Sequence, residues 1–127
     1  MIIMLISRDQ ILIEMVQKAV HAHKNELSLY TGSADPLDVM SAIFSQNPSL
    51  ILIDDDFLSP YSAHLLQSVR KINQQMDIIF TTSDSSIKLG KEISQLGIHY
   101  YAIKPLEEAE LTDSLKSIIN LITKRIN

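Results

Sequence analysis

The chain has 127 residues, 46% hydrophobic and 20% charged, which fits one ordinary globular domain spanning residues 1–127. A net charge of −4, with Lys and Arg scattered along the chain, excludes the basic face that nonspecific nucleic-acid binding needs, so no direct nucleic-acid partner is expected. The absence of cysteine excludes disulfides, thiolate metal sites and cysteine nucleophiles, and no apolar run reaches the length of a membrane span, which together suit a cytoplasmic protein.

The opening "MIIMLIS" is too short for a signal peptide and lacks its basic flank. Within it, Ile2–Ile6 is continuously apolar, as a strand covered on both faces should be. Residues 9–23 follow with Ile11, Leu12, Met15, Val16 and Ala19 at helical spacing, and Leu27–Tyr30 alternates like a less buried strand near an edge. Asp35 and Pro36 are suited to the cap and first position of a helix that carries Val39, Ala42 and Ile43 on one face. "LILI" from Leu50 is the next buried strand, and residues 61–73 form a helix through Leu65, Leu66, Val69 and Ile72. Ile78–Phe80 is a strand, residues 85–97 a helix weakened by Gly90, and Tyr100–Ile103 the last strand. Leu111, Leu115, Ile118, Ile119, Ile122 and Ile126 trace the apolar stripe of the closing helix.

Strand and helix alternating five times predicts an α/β, doubly wound five-stranded parallel sheet in flavodoxin-like order 2-1-3-4-5, with helices on both faces. In such folds the functional crevice lies outside the carboxyl ends of the strands. The residues leaving those ends are Ser7, Arg8 and Asp9, then Asp54, Asp55 and Asp56, then Thr81, Thr82 and Ser83, and finally Lys104-Pro105. Carboxylates, hydroxyls, a guanidinium and an ammonium converging on one crevice form a set suited to a phosphoryl group, whose transfer depends on positioning and charge neutralisation.

"LILIDDDFLSPYSAHLLQSVR", "DIIFTTS" and "GIHYYAIKP" resemble the receiver domain of bacterial two-component response regulators, over the whole chain. The resemblance implies a signalling domain and not an enzyme beyond self-phosphorylation and autodephosphorylation. Asp54 matches the aspartate that takes a phosphoryl group from a histidine kinase or phosphotransfer protein. Thr82 and Lys104 match the hydroxyl and ammonium that contact that group, Pro105 the residue after a cis peptide bond, and Tyr101 the aromatic that couples phosphorylation to a surface change. A homodimer through the fourth helix, last strand and last helix is implied as well, with Leu89, Ile93, Tyr101 and Leu106 as candidate contacts. The chain is then expected to be a stand-alone receiver or the front piece of a longer protein.

Ser7 and Arg8 stand where family members carry the acidic pair that holds Mg2+, Leu58 where a proline is usual, and Ser62 where a glycine is usual. Two arrangements follow. In one, Asp9, Asp54 and Asp56 hold Mg2+ while Arg8 points to solvent. In the other, Arg8 pairs with Asp54 in place of the metal, and the chain is a phosphorylation-independent pseudo-receiver that works as an interaction module with no cofactor. A unit charge pair at 4 Å is worth roughly 4 kcal/mol at an effective dielectric near 20, enough to make that substitution decisive. Asp55 is expected in a solvated loop and the pair His21 and His23 at a solvated helix end, while the sequence names no partner for His64 or His99.

Overall fold

The computed structural model describes residues 1–126, and the side chain of Ile126 lies outside the described residues. Five parallel strands, β1 (Ile2–Ile6), β2 (Glu26–Tyr30), β3 (Leu50–Asp54), β4 (Asp77–Thr82) and β5 (Tyr100–Ile103), lie in the order β2-β1-β3-β4-β5. The three central strands are buried along nearly their whole length, whereas β2 and β5 form the edges. Six helices connect and follow them: α1 (Gln10–Ala22), α2 (Pro36–Gln46), α3 (Asp55–Leu58), α4 (Ser62–Ile72), α5 (Ile87–Ser94) and α6 (Glu108–Ile126). None of the described helices is long and apolar enough to cross a membrane.

Side chains of a strand alternate between faces, so each central strand feeds two cores. Ile3, Leu5, Leu50, Leu52 and Ile79 pack with α1 and α6, through residues such as Val16, Leu115 and Ile119. Met4, Ile6, Ile51, Ile53, Ile78 and Phe80 pack with α2, α4 and α5, through Ile43, Leu66 and Ile93. The helices begin where capping side chains allow. Asp9 accepts the Ile11 and Leu12 amides at the start of α1, and Asp35 accepts the Leu37 amide beside Pro36 at the start of α2. Asn47, at φ 50°, ends α2 in the left-handed conformation that asparagine tolerates.

Two elements depart from the sequence reading. The segment predicted over 85–97 is helical only over Ile87–Ser94, with Ile93 its sole buried residue, so little packing opposes the cost of Gly90 at mid-helix. A single helical turn, α3, follows β3 directly because the Asp54 carboxylate accepts the Asp56 amide and caps it.

The end of the sheet away from the crevice is fastened by polar groups. The Arg70 guanidinium donates to the carbonyls of Leu96, Met76 and Gly97 at 2.6–2.9 Å, and to those of Asn73 and Gln74 at 3.3–3.4 Å. Buried Asp77 meets Arg125 Nη2 at 2.6 Å and His99 Nδ1 at 3.0 Å. His99 therefore has a partner, which its place in the sequence did not reveal.

Candidate functional site

The alternation that builds the two cores continues into the crevice. Ser7 extends the row of Ile3 and Leu5, Asp54 that of Leu50 and Leu52, Thr81 that of Ile79, and Lys104 that of Tyr100 and Ala102. Asp54 pairs in register with Thr81 on the neighbouring strand, so both leave the sheet on the same face.

Asp54 is 1% exposed, and donors surround its carboxylate. Ser7 Oγ donates to Oδ2 at 2.6 Å, the Asp56 amide to Oδ1 at 3.2 Å, and Thr81 Oγ1 to Oδ1 at 3.4 Å. Lys104 Nζ lies 2.9 and 3.0 Å from the two oxygens. The same ammonium reaches Asp9 Oδ2 at 2.8 Å and Asp56 Oδ2 at 2.9 Å. Arg8, Asp9, Asp54, Asp56, Phe57 and Lys104 line a cleft of about 370 Å³ at this point.

Each carboxylate has its own support. Asp9 is aimed by its cap bonds at the start of α1, and Asp56 accepts the Ser83 amide at 3.1 Å and the Ser83 hydroxyl at 2.6 Å. The hydrogen bond from Lys104 holds the Asp9 carboxyl below the usual range against a smaller opposing effect of burial. Burial pushes the Asp56 carboxyl up, but the bonds from Ser83 and Lys104 together outweigh it and leave it low. Burial alone would lower the Lys104 ammonium; its bonds to Asp9, Asp56 and Asp54 instead raise it well above the usual lysine value.

The structure does not bring Arg8 onto Asp54. Its Nε donates to the Thr31 carbonyl at 2.9 Å and its Nη2 to the Gly32 carbonyl, while its guanidinium carbon stands 4.7 Å from the centre of the Phe57 ring. A planar cation satisfied by two carbonyls and an aromatic face has its own site at the rim. Lys104, and not Arg8, is the cation among the aspartates.

The ligand set expected for Mg2+ is changed by the same fact. Asp9, Asp54 and Asp56 do converge, but their oxygens are spaced 2.8–3.0 Å from a nitrogen at the centre. Mg2+ needs near-octahedral oxygens at about 2.0–2.1 Å. Among the described residues no group of three or more His, Cys, Asp or Glu side chains is arranged to hold a metal ion. The residues as placed fit an ammonium and do not fit a dication.

On the opposite face stand Asp55, Thr82 and Tyr101. Asp55 is not in a solvated loop: it is 6% exposed and accepts Thr82 Oγ1 and Ser62 Oγ, each at 2.7 Å. Thr82 therefore does not touch Asp54. Its hydroxyl donates to Asp55 and accepts the Asp84 amide at 2.9 Å, tying the β4–α5 loop to the end of β3. Ser62 serves this bond from the position where the resembled family has glycine. Ser7 and Thr81 are the hydroxyls that face Asp54. Counting residues along each strand in steps of two would have singled them out.

Tyr101 stacks on Phe80, with ring centres 5.2 Å apart and planes inclined by 22°. Its buried hydroxyl has no hydrogen-bond partner among the described residues. Tyr101→Phe should therefore be neutral or stabilise by up to about 1 kcal/mol, as removal of an unsatisfied buried hydroxyl does, and urea unfolding measures it. Ile93, expected on a contact surface, is wholly buried, and Leu89, Tyr101 and Leu106 are half-buried against the cores. Among the described residues, the large apolar side chains that α5, β5 and α6 expose are instead Ile87, Ile103 and Leu121.

No family model matches the sequence, and no curated protein matches it. Solved structures do. A CheY-like receiver domain protein of Methanospirillum hungatei superposes with a TM-score of 0.79 at 18% identity, covering 98% of this chain and 97% of that one. The signal receiver domain of a putative Luxo repressor protein from Vibrio parahaemolyticus gives 0.74 at 19% identity over 98% and 90%. The chemotaxis protein CheY4 of Vibrio cholerae gives 0.71 at 16% identity over 91% and 96%. The chain has the fold of response-regulator receiver domains, and the sheet order expected from the sequence is the order found.

Proposed function

From a chain with the response-regulator receiver fold, we propose a signalling module whose phosphoryl acceptor is Asp54. The observation that carries this reading is the contact of one ammonium, Lys104, with both oxygens of a carboxylate that ends the central strand. A carboxylate oxygen of Asp54 would attack the phosphorus of a phosphohistidine on a kinase or phosphotransfer protein. The P–O bond of an acyl phosphate forms as the P–N bond breaks, and the imidazole leaves with a proton. Lys104 supplies positive charge to the oxygens of the group in flight, and the Ser7 and Thr81 hydroxyls lie close enough to donate to them.

Output follows from what Lys104 also holds. Once it turns to a phosphoryl group its grip on Asp56 changes, and Asp56 is bound to Ser83 in the loop that leads to α5. The face made by α5, β5 and α6 is then the partner or homodimer surface, through Ile87, Ile103 and Leu121.

A second reading is a module that makes these contacts without phosphorylation. The observation favouring it is the pair Ser7 and Arg8 at the end of β1, one hydrogen-bonded to Asp54 and the other engaged with carbonyls, so that neither adds a carboxylate to the site. Incubation with acetyl phosphate or a phosphohistidine donor, followed by intact mass measurement, separates the two. A single added phosphoryl group that Asp54→Asn abolishes supports the acceptor role. An unmodified chain whose self-association or partner binding survives Asp54→Asn establishes the contact module instead.

A further inference from the structure

We infer that Lys104 stands in for a divalent cation, so that the resting protein holds Asp9, Asp54 and Asp56 together without any metal. The inference concerns the site described above but stands whether or not Asp54 is phosphorylated. Four carboxylate oxygens from three residues meet one nitrogen at 2.8–3.0 Å. Among the described residues no second cation shares the position, since the Arg8 guanidinium is committed to Thr31, Gly32 and Phe57.

The carboxylates are aimed by groups other than the lysine. Backbone amides of Ile11 and Leu12 orient Asp9, the Ser7 hydroxyl and Asp56 amide orient Asp54, and Ser83 orients Asp56 through both its amide and its hydroxyl. The cage is therefore built by the ends of β1, β3 and β4, and the flexible lysine fills it. Three carboxylates against one ammonium leave the cage with two formal negative charges in excess. Removing the ammonium leaves three carboxylates about one point with no counter-charge, so that Mg2+ can enter and draw their oxygens inward to the shorter distances it needs.

The test is titration of the metal-stripped full chain with MgCl2, followed by amide NMR and by thermal unfolding with and without EDTA. It is run on the unaltered protein, on Lys104→Met and Lys104→Gln, and on Asp54→Asn/Lys104→Met. The unaltered protein should show no saturable shifts at residues 7–9 and 54–56 in millimolar Mg2+. Lys104→Met and Lys104→Gln should bind Mg2+ at least roughly tenfold more tightly, the least that loss of a neighbouring positive charge should give, and should melt higher in its presence. The double variant should lose that response. Should a Lys104 variant be unfolded in EDTA, Mg2+ should refold it. Saturable Mg2+ binding by the unaltered protein at these amides would overturn the inference. So would a Lys104 variant that Mg2+ neither shifts nor refolds. Neither result depends on phosphorylation, which is read separately by mass.

Discussion

Replacing Lys104 with methionine is expected to cost about 3–5 kcal/mol at neutral pH in the absence of metal, read as a fall in the urea midpoint. The loss arises less from the attraction removed than from the charges left behind. Asp54 is almost wholly shielded from water, and its remaining donors are the hydroxyls of Ser7 and Thr81 and one amide. The contacts to Asp9 and Asp56 contribute less, because those side chains are 30% and 37% exposed and water screens them.

The pH dependence gives this prediction a second handle. Folding lowers the Asp9 and Asp56 carboxyls below their ordinary value of 3.8, so their share of stability is present above that value and is lost as the pH falls through the lowered one. Folding raises the Lys104 ammonium above its ordinary 10.5, so its share is complete below 10.5 and is lost as the pH rises through the raised value. The site thus contributes a plateau between about pH 4 and 10.5 that falls away at both ends. In Lys104→Met the alkaline fall belonging to the site should vanish. The deficit against the unaltered protein should shrink in acid, as the Asp9 and Asp56 carboxylates take up protons. Urea midpoints measured across that range check both, and a deficit independent of pH would mean that lost packing, not charge, was responsible.

Phe80→Ala should be comparably damaging, at about 3–5 kcal/mol, for a different reason. Phe80 is the largest of the fully buried side chains, in the core formed with α2, α4 and α5, and its ring supports Tyr101. Truncation removes apolar surface from the interior and leaves a cavity that a close-packed sheet cannot collapse to fill. Against a total stability of about 5–15 kcal/mol the change is a large fraction. Ile87→Ala, at a side chain 77% exposed on α5, should stay within about 0.5 kcal/mol and serves as the control. Urea unfolding should show a lower midpoint for Phe80→Ala with an unchanged slope. If the slope changed as well, the variant would have altered the compactness of a state and not stability alone.

The fold was legible because its signals are long-range in the pattern and local in the chemistry. Branched aliphatic runs at Ile2–Ile6 and Leu50–Ile53 mark strands buried on both faces, and helices with stripes between them leave a parallel sheet as the arrangement that covers both. What failed was finer. The three aspartates from 54 to 56 look alike as letters, yet successive residues leave a strand on opposite faces. Asp54 and Asp56 both meet Lys104, the latter also accepting from Ser83, while Asp55 between them is buried against Thr82 and Ser62. A strand-end count from the buried rows would have paired Asp54 with Thr81 and Asp55 with Thr82. Which of the two arrangements open to Arg8 is adopted was hidden for another reason: it lies exposed and away from Asp54, but the carbonyls of Thr31 and Gly32 that hold it there belong to the backbone, and no sequence letter announces an available carbonyl. The contact between His99 and Asp77 was hidden similarly, since two residues 22 positions apart meet through strand pairing that only the folded register sets.

Arg70 has a bearing on how this chain tolerates change. One guanidinium grips five carbonyls, in residues 73–76 and 96–97, and a carbonyl is the same whatever side chain accompanies it. The two loops can accordingly drift in sequence while their paths stay fixed. The constraint that would otherwise be shared among half a dozen loop positions is gathered at a single helical residue. A lysine there would bring one point charge to a task that needs a rigid fork. Variation is thereby made permissible at the blunt end of the sheet by a position that itself can hardly vary, and the two loops inherit one common vulnerability.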